Sequence, residues 1–434
     1  MDSTNTKVAL GSRAQRRHAL SPEGKNRIIQ VVGIAVLVVV LFGIGILAGT
    51  YSFLGAIYDP PVSGGQGVVI APGERITVLF LGIDRGVNDG GPRSGVARSD
   101  TLILVSFDPD TMETGVLHLP RDTRVAIPGR SGFDKLGHAH AYGGPLLAME
   151  TVSQFLDVPV HYYVRADFTG FVEAVNILGG VEIEVDRDMV YEDPYQDLSI
   201  NIRAGQQTLD GEQALHFVRY REYPNADIGR IQAQQTFIRA FIEKFYRLNM
   251  LWRIPSLVGS VANHLSTDID PNTMLRLANK AIRMDDLDKV TFAVLPGAAR
   301  DVVEAGRTLN YWVADPIETS NLADRLVRGI DREANAQVRI RLQDGASSPA
   351  RVAVVADHLR TLGYMVIEDG NAQRQDYEQT HIFGHDPDEK TLLRLTRALG
   401  HLNDHGNVKL MEPDDEEDGF AFTIIVGSDI HASL

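Results

Sequence analysis

Hydrophobic positions along this chain fall into three kinds of run. The longest spans Ile28 to Ala48, 21 residues in which Gln30 is the only strongly polar side chain; no charge appears between Arg27 and Asp59. As a helix it would be about 31 Å long, which matches a bilayer core. A signal peptide would have a shorter apolar centre and a small-x-small cleavage site, and neither is clear here. The second kind of run is short and unbroken. Ile76–Ile83 (ITVLFLGI), Thr101–Phe107 (TLILVSF) and Gly115–Leu119 (GVLHL) read as buried strands. Their continuity, without alternation, predicts a sheet covered on both faces. The third kind has helical spacing and predicts helices over Gly144–Leu156, Phe168–Leu178 and Gly229–Leu248, with a strand at Val181–Val185. Strands and helices mix throughout, so the class is α/β with a mixed central sheet.

A smaller pattern starts near Gln337. Val338–Leu342 alternates as a strand, a helix fits Pro349–Leu362, strands follow at Tyr364–Ile367 and Thr380–Phe383, a helix at Asp388–Leu399, and a last strand at Phe420–Gly427. The acid-rich stretch 410–418 reads as a solvated turn. The expected organisation is a basic tail (1–27), a transmembrane helix (28–50), a Pro/Gly-rich flexible linker (51–74), a first α/β domain (75–313), a connector (314–336) and a small α/β domain (337–434).

Charge adds an orientation. Residues 1–27 carry a net +4, so the chain's −15 leaves −19 for the remainder. Basic residues on the N-terminal side of a span place that side in the cytoplasm, and everything after residue 50 outside. Gly45 and Gly49 form a small-xxx-small pair, the one feature that points to a homo-oligomer. The acidic balance argues against a nucleic-acid partner. The absence of cysteine excludes disulfides, thiolate nucleophiles and zinc–thiolate sites.

No nucleophile-elbow, Walker A or HExxH motif is present. His138 and His140 flank Ala139, but an isolated H-x-H is too short a pattern to define a metal site. The informative pattern is arginine beside aspartate at strand ends. Asp84 closes the first strand, and Arg98-Ser99-Asp100 opens the second. Arg121-Asp122 follows the third, Arg219-Tyr220-Arg221 ends an apolar run, and Asp227-Ile228-Gly229-Arg230 opens the long helix. In open α/β sheets ligands sit where strand ends meet loops. Guanidinium forks match phosphate oxygens, and paired carboxylates suit a hard cation such as Mg²⁺. The pattern reads as a diphosphate site with a metal; taken singly, each arginine is better explained by a surface ion pair, and spacing alone does not show convergence.

These segments resemble the LytR–CpsA–Psr (LCP) family. The matching stretches are VLFLGID (78–84), RSDTLILVS (98–106), LPRDTRVAIPG (119–129), KLGHAHAYGG (135–144), DFTGFV (167–172), LGGVE (178–182), LDGEQALHFVRYR (209–221) and DIGR (227–230). The tail, with VRIRL (338–342), LGYMV (362–366) and IVGSD (425–429), is similar to the LytR C-terminal domain.

The resemblance implies a membrane-anchored phosphotransferase acting outside the cytoplasmic membrane. It would move a glycopolymer from a polyprenyl-pyrophosphate carrier onto peptidoglycan or another wall acceptor. By the same resemblance Asp84 and Asp100 hold Mg²⁺ or Mn²⁺. The resemblance also matches Arg98, Arg121, Arg219, Arg221 and Arg230 to the family's pyrophosphate-binding arginines, Gln234 to a glutamine lining that site and Lys135 to a basic position. Chemically, Arg121, Arg219 and Arg221 are expected to neutralise developing charge and Arg98 and Arg230 to hold the head group, with Asp122 and Asp227 as candidate bases. Many members have an arginine three residues after the D-x-G-R arginine; Ala233 stands there in this chain. Apolar elements at 146–178 and 237–245 are candidates for a lipid tunnel, although core packing explains them equally well. A receptor that captures lipid-linked polymer without transferring it and a pyrophosphatase remain alternatives. The older family label of transcriptional attenuator fits poorly with so short a cytoplasmic tail.

Overall fold

The computed structural model describes residues 51–52, 54–60, 74–83, 87–88, 91–92, 98–193, 198–220, 222–223, 227–247, 263–281, 289–304, 306–385, 389–400, 402, 409–411 and 419–430. The apolar span at 28–48 and its basic flank lie outside them. Among the described residues no helix is long and apolar enough to cross a membrane.

The first unit is built on a six-stranded sheet. In chain order its early elements are β1 (Ile76–Ile83), β2 (Ser99–Phe107), β3 (Thr114–Leu119), α1 (Gly137–Leu156), β4 (Tyr162–Asp167) and α2 (Phe168–Ile177). Next come β5 (Val181–Val185), β6 (Met189–Asp193), β7 (Leu198–Ile202), β8 (Gly205–Leu209), α3 (Gly211–Arg219) and α4 (Asp227–Arg247). The unit then continues through β9 (Leu265–Thr267), α5 (Pro271–Ala281), β10 (Val290–Val294), the hairpin β11 (Gly297–Glu304) and β12 (Arg307–Ala314), and α6 (Pro316–Ala323). The sheet order is β9-β4-β1-β2-β3-β10. β1 pairs antiparallel with β2 and parallel with β4, and β3 pairs antiparallel with β2 and parallel with β10, so the sheet is mixed as expected.

The two faces of this sheet differ, which corrects the expectation of equal cover. On one face Leu79, Leu81, Leu102, Leu104, Leu117 and Leu119 are buried against α1 and α6. On the other, Val78, Ile103 and Val105 are only half-buried, and Phe80, on a central strand, is 39% exposed. That second face is flanked by α5, whose Met274 and Leu277 pack near Val78 and Val164. On the other flank is α4, whose Arg239 lies over the Phe292 ring. An unbroken apolar run cannot distinguish a face sealed by protein from one facing an apolar trough. Of the two readings open for the α1 segment, tunnel wall or core, the structure gives core: Ala148, Met149, Val152 and Leu156 pack into the sealed side.

Three further segments depart from the sequence reading. Residues 51–52 and 54–57, expected as linker, are helical; Ile57 is buried, and the Asp59 amide donates to the Thr267 carbonyl at 2.8 Å. The Pro/Gly content that suggested flexibility starts only at Pro60. Residues 314–336 do more than connect: Leu322, Ala323, Leu326 and Val327 belong to the first core. The strands β5 to β8, read in sequence only at Val181–Val185, form two antiparallel ribbons over α2, α3 and α4, around Val181, Ile183, Ile200, Leu209 and Phe217.

After a short helix α7 (Arg332–Asn335) the second unit contains β13 (Arg339–Asp344), α8 (Pro349–Thr361), β14 (Met365–Asn371), β15 (His381–Gly384), α9 (Glu389–Gly400), β16 (Lys409–Met411) and β17 (Phe422–Val426). The strands lie in the order β14-β13-β17-β15-β16. Both longer helices pack on one face, around Ile340, Leu342, Val355, Leu359, Leu395, Leu399 and Ile424. The units meet where Asp108, 3% exposed just beyond β2, takes hydrogen bonds from Arg397 of α9. Arg397 also reaches Asp110 at 2.6 Å, and Lys390 reaches Glu113 at 3.2 Å.

Candidate active site

The site forms where β1, β2, β3 and β4 end on the same edge of the sheet. A bulge opposite Gly82 and Ile83 pairs Ile83 with Ser99 and Gly82 with Thr101, so Asp100 is the extra, unpaired residue of the irregularity. The Arg121 guanidinium, just beyond β3, pairs with Asp100, and its Nε lies 3.6 Å from Asp122. A Cβ on Gly137 would collide with the Ser99 carbonyl and the Arg121 side chain, so only glycine lets α1 start this close to the cluster. Its amide donates to the Arg121 carbonyl at 2.8 Å.

The sequence reading began α1 at Gly144. The structure starts it at Gly137 and breaks it at Gly143 and Gly144, the latter at φ 69° and ψ −162°, a conformation essentially confined to glycine. The break separates a first segment lying over the site from a second one buried in the core.

Lys135 Nζ lies 2.7 Å from Asp122. Burial alone would raise the Asp122 pKa, but the Lys135 hydrogen bond and the charges of Arg121, Lys135 and Arg230 outweigh it, and the carboxyl titrates below its usual range. Beside Lys135, Asp134 accepts from Tyr142 at 2.7 Å and pairs with His138 at 2.8 Å. Arg98, exposed at the entry to β2, is near enough for its charge to act on Tyr142.

Arg230 arrives from the first turn of α4. Together with Pro120, Arg121, Asp122, Ala299, Asn310 and Trp312 it lines a cleft. Its charge, after burial, helps push His118, the register partner of Ile103, down to about 4. Arg219, in the last turn of α3, stands over the Phe168 ring at 4.8 Å. An Asp210–Gln213 capping box fixes the start of that helix. Gln234 Nε2 donates to the Val218 carbonyl at 3.1 Å, tying α3 to α4, while its buried Oε1 has no partner among the described residues. Ala233 is buried in the apolar cluster of α2, α3 and the ribbons. Asp84 and Arg221 lie outside the described residues, as does the side chain of Asp227.

The structure thus brings Asp100, Arg121, Asp122, Lys135 and Arg230 together and sets Arg219 over Phe168. Sequence reasoning missed Trp312 and Asn310. They arrive on the β11–β12 hairpin, held by the Trp312 amide donating to the Asp122 carbonyl at 2.9 Å. It also missed His118, whose signal was a titratable residue inside an apolar strand. Asp167 was another omission: at the end of β4 it pairs with Ile83, caps α2 and holds His264 at 2.9 Å.

Metal fit can be tested on the donors. Among the described residues there is no group of three or more His, Cys, Asp or Glu side chains able to cage an ion. Asp100 is nonetheless a half-buried oxygen donor, the unpaired residue of the bulge beside the end of β1. Mg²⁺ needs only one or two protein carboxylates when phosphate oxygens and waters complete its shell. The donor set therefore suits a cation bound with a diphosphate and not a standing metal cage.

Comparison with known proteins agrees with this architecture. The LytR_cpsA_psr family profile matches residues 62–327, and the LytR_C profile, described as LytR cell envelope-related transcriptional attenuator, matches residues 337–429. A polyisoprenyl-teichoic acid–peptidoglycan teichoic acid transferase, TagU of Enterococcus faecalis, is 39% identical over 206 residues, 47% of this chain and 65% of the relative. The corresponding Bacillus subtilis protein TagT is 37% identical over 198 residues, 45% of this chain and 61% of the relative. The chain therefore spans slightly less than two thirds of the length of these relatives. A crystal structure from Streptococcus agalactiae matches the fold at a TM-score of 0.50 and 24% identity, covering 58% of this chain and 88% of that one. With its profile match extending over more than half of its length, the chain belongs to the LytR_cpsA_psr family, followed by a LytR_C unit.

Proposed function

We propose that this protein is a membrane-anchored phosphotransferase acting outside the cytoplasmic membrane, which moves a glycopolymer from a polyprenyl-pyrophosphate carrier onto peptidoglycan or another wall acceptor. One observation carries the reading. Arg121, Asp122 and Arg230 line one cleft with Lys135 paired to Asp122, and α4, which carries Arg230 in its first turn, also carries Arg239, which lies over Phe292 of the half-open apolar sheet face. A polyanionic head group and a long apolar tail are the two halves of a prenyl diphosphate. Phe80, Ile103 and Val105 offer the tail a floor, and the partly exposed rings of Phe171 and Phe241 extend the apolar border around buried Phe237.

In the proposed reaction an acceptor sugar hydroxyl attacks the phosphorus that carries the polymer. The new bond is oxygen to phosphorus, the hydroxyl proton passes to the candidate base Asp227 or to solvent, the bridging phosphoanhydride bond breaks, and polyprenyl monophosphate leaves. Positioning and charge neutralisation dominate such transfers. Arg121, Arg219 and Arg221 would neutralise the bridging and leaving oxygens, while Arg98, Arg230 and Lys135 hold the head group. Asp100, with Asp84, would hold Mg²⁺ or Mn²⁺, which supplies further neutralisation of diphosphate charge. Asp122 stays ionised and is braced by Lys135, so it fits the role of orienting that lysine better than that of a base. Gln234 would act through the α3 terminus it secures. The relatives named as teichoic acid transferases support this class of donor, and the apolar span at 28–48 with its basic flank supports the anchor.

Purified full-length protein, given lipid-linked donor with and without acceptor glycan, tests the reading. Polymer appearing on acceptor with release of polyprenyl monophosphate supports transfer. Phosphate release to water alone would make it a pyrophosphatase, and binding without turnover a receptor.

A further inference from the structure

The segment that leads out of the apolar span is fastened to the first unit at once. Residues 51–52 and 54–57 are helical, and Ile57, the last of them, is 6% exposed. Tyr58 then makes a parallel bridge with Thr267 of β9, and the Asp59 amide donates to the Thr267 carbonyl at 2.8 Å. The Tyr163 hydroxyl donates to the Asp59 carboxylate at 3.1 Å, and the Thr267 hydroxyl donates to the Tyr163 carbonyl. β9 is the outermost strand of its sheet, paired on the inner side with β4. Tyr58 and Asp59 therefore close part of an edge that would otherwise present unpaired backbone groups. Farther on, Glu74 reaches His161 at 3.3 Å, and Arg75 donates to the Ser106 hydroxyl at 3.0 Å. The Pro/Gly-rich stretch of the sequence thus starts and ends on the same unit.

This changes which residues carry the unit. With 28–48 as the membrane span, the reading on which this inference rests, only residues 49–57 lie between the bilayer and the sheet edge. Tyr51, 52% exposed, has the kind of side chain that settles at headgroup level. At the helical rise of about 1.5 Å per residue, Tyr58 is about 10 Å from Tyr51. The headgroup layer is itself roughly 5–8 Å deep. β9 is thereby held within about 20 Å of the hydrocarbon, less than the ~24 Å width of a six-stranded sheet. α5 begins at Pro271, shortly after β9, and presents exposed Asn272 and Leu275. Asp167, where β4 ends at the candidate site, lies only about 10 Å along that strand from Val164, the register partner of Thr267. We infer that the β9 edge, with Tyr58 and Asp59 clipped to it and α5 beside it, faces the lipid surface, and that this clip, not the 60–73 stretch, sets the height of the first unit above the bilayer. A prenyl diphosphate drawn from that bilayer then has a short and constant path to the strand ends.

The chain has no cysteine, so a single dye can be placed by one substitution. Full-length protein carries Asn272→Cys, exposed in the first turn of α5, or Thr291→Cys, exposed on β10 at the opposite edge of the sheet. Each is reconstituted into vesicles of phosphatidylglycerol and phosphatidylethanolamine that contain a headgroup-labelled acceptor lipid. Energy transfer to lipid should be clearly stronger from position 272 than from 291. An insert of about 14 Gly/Ser residues between Gly64 and Gly65, beyond the clip, should leave transfer from 272 unchanged. The same insert between Gly49 and Thr50, ahead of the clip, adds about 20 Å of reach and should cut that transfer by half or more. With Ile57→Asp unseating the segment, the insert after Gly64 should act like the one after Gly49. Equal loss from the two inserts in the protein with Ile57 intact overturns the inference, as does equal transfer from 272 and 291. Transfer between dyes on two copies of the chain, with none to lipid, also overturns it and makes the edge a protein interface. Those outcomes leave the transferase reading untouched. Protein washed off the vesicles by alkaline carbonate would instead sink the membrane anchor itself.

Discussion

Asp108 and Arg397 join the two units through a pair of hydrogen bonds, 2.5 and 3.1 Å, with Arg75 also 3.6 Å from the carboxylate. Burial would raise the Asp108 pKa, but the bonds from Arg397 and from the Thr111 and Asp110 amides win, and it titrates below the usual carboxylate range. A lowered folded-state pKa contributes stability that is fully present above the unfolded value and disappears as pH falls through the folded one. Docking should thus be constant from neutral pH down to the ordinary carboxylate range and fail only in stronger acid. Arg397→Ala should cost about 2 kcal/mol and expose the 328–337 junction to protease at neutral pH. Calorimetry and limited proteolysis check this; a single unchanged transition with no new cleavage contradicts it.

Arg121→Ala and Arg219→Ala should each slow transfer by roughly 10²–10³, the usual effect of removing one charge-stabilising group. Both side chains are partly exposed, so melting temperatures should hardly move. Lysine at either position should restore only part of the rate because it lacks the planar fork.

Lys135 should hold Asp122 ionised into acid. With Lys135→Ala, burial of Asp122 loses its main opponent, and the Asp122 pKa should rise. A carboxyl titration followed by NMR should then move to higher pH. An unshifted Asp122 titration in the variant would contradict the pairing.

Metal dependence should follow Asp100. EDTA should abolish turnover, and Mg²⁺ or Mn²⁺ should restore it in the wild type but not in Asp100→Ala. Full activity of the wild type in EDTA would remove the cation from the reaction.

Phe80→Glu tests the trough. The side chain is already 39% exposed, so a charge there should cost little stability while blocking a prenyl tail. The KM for a long-chain donor should rise sharply, and that for a short-chain analogue should change little.

The legible part of this protein was local. β1 and β3 were read within a residue of their ends because their apolar runs close on Asp84 and on Pro120-Arg121, and the polar residues that ended the strands were also the candidate ligands. The illegible part was pairing across distance. Nothing near Trp312 in the sequence says that a hairpin delivers it to Asp122, 190 positions earlier, because that contact is a backbone hydrogen bond with no side-chain signature. Phe80 was misread for a different reason: its neighbours make it look like core, and only the position of α4 and α5 shows that its face is left half open. The break at Gly143 and Gly144 could have been found, since paired glycines before Pro145 rarely continue a helix.

Asp100 and Asp108 stand at opposite ends of a single strand. Eight residues of extended chain at about 3.3 Å each set them about 26 Å apart. One end holds Arg121 at the candidate site, and the other is the bracket on which the second unit is mounted. The strand therefore works as a ruler, keeping the point where the second unit is fastened at a set distance from the Asp100–Arg121 pair. Altering the length of β2 would change that spacing without touching a residue at either end.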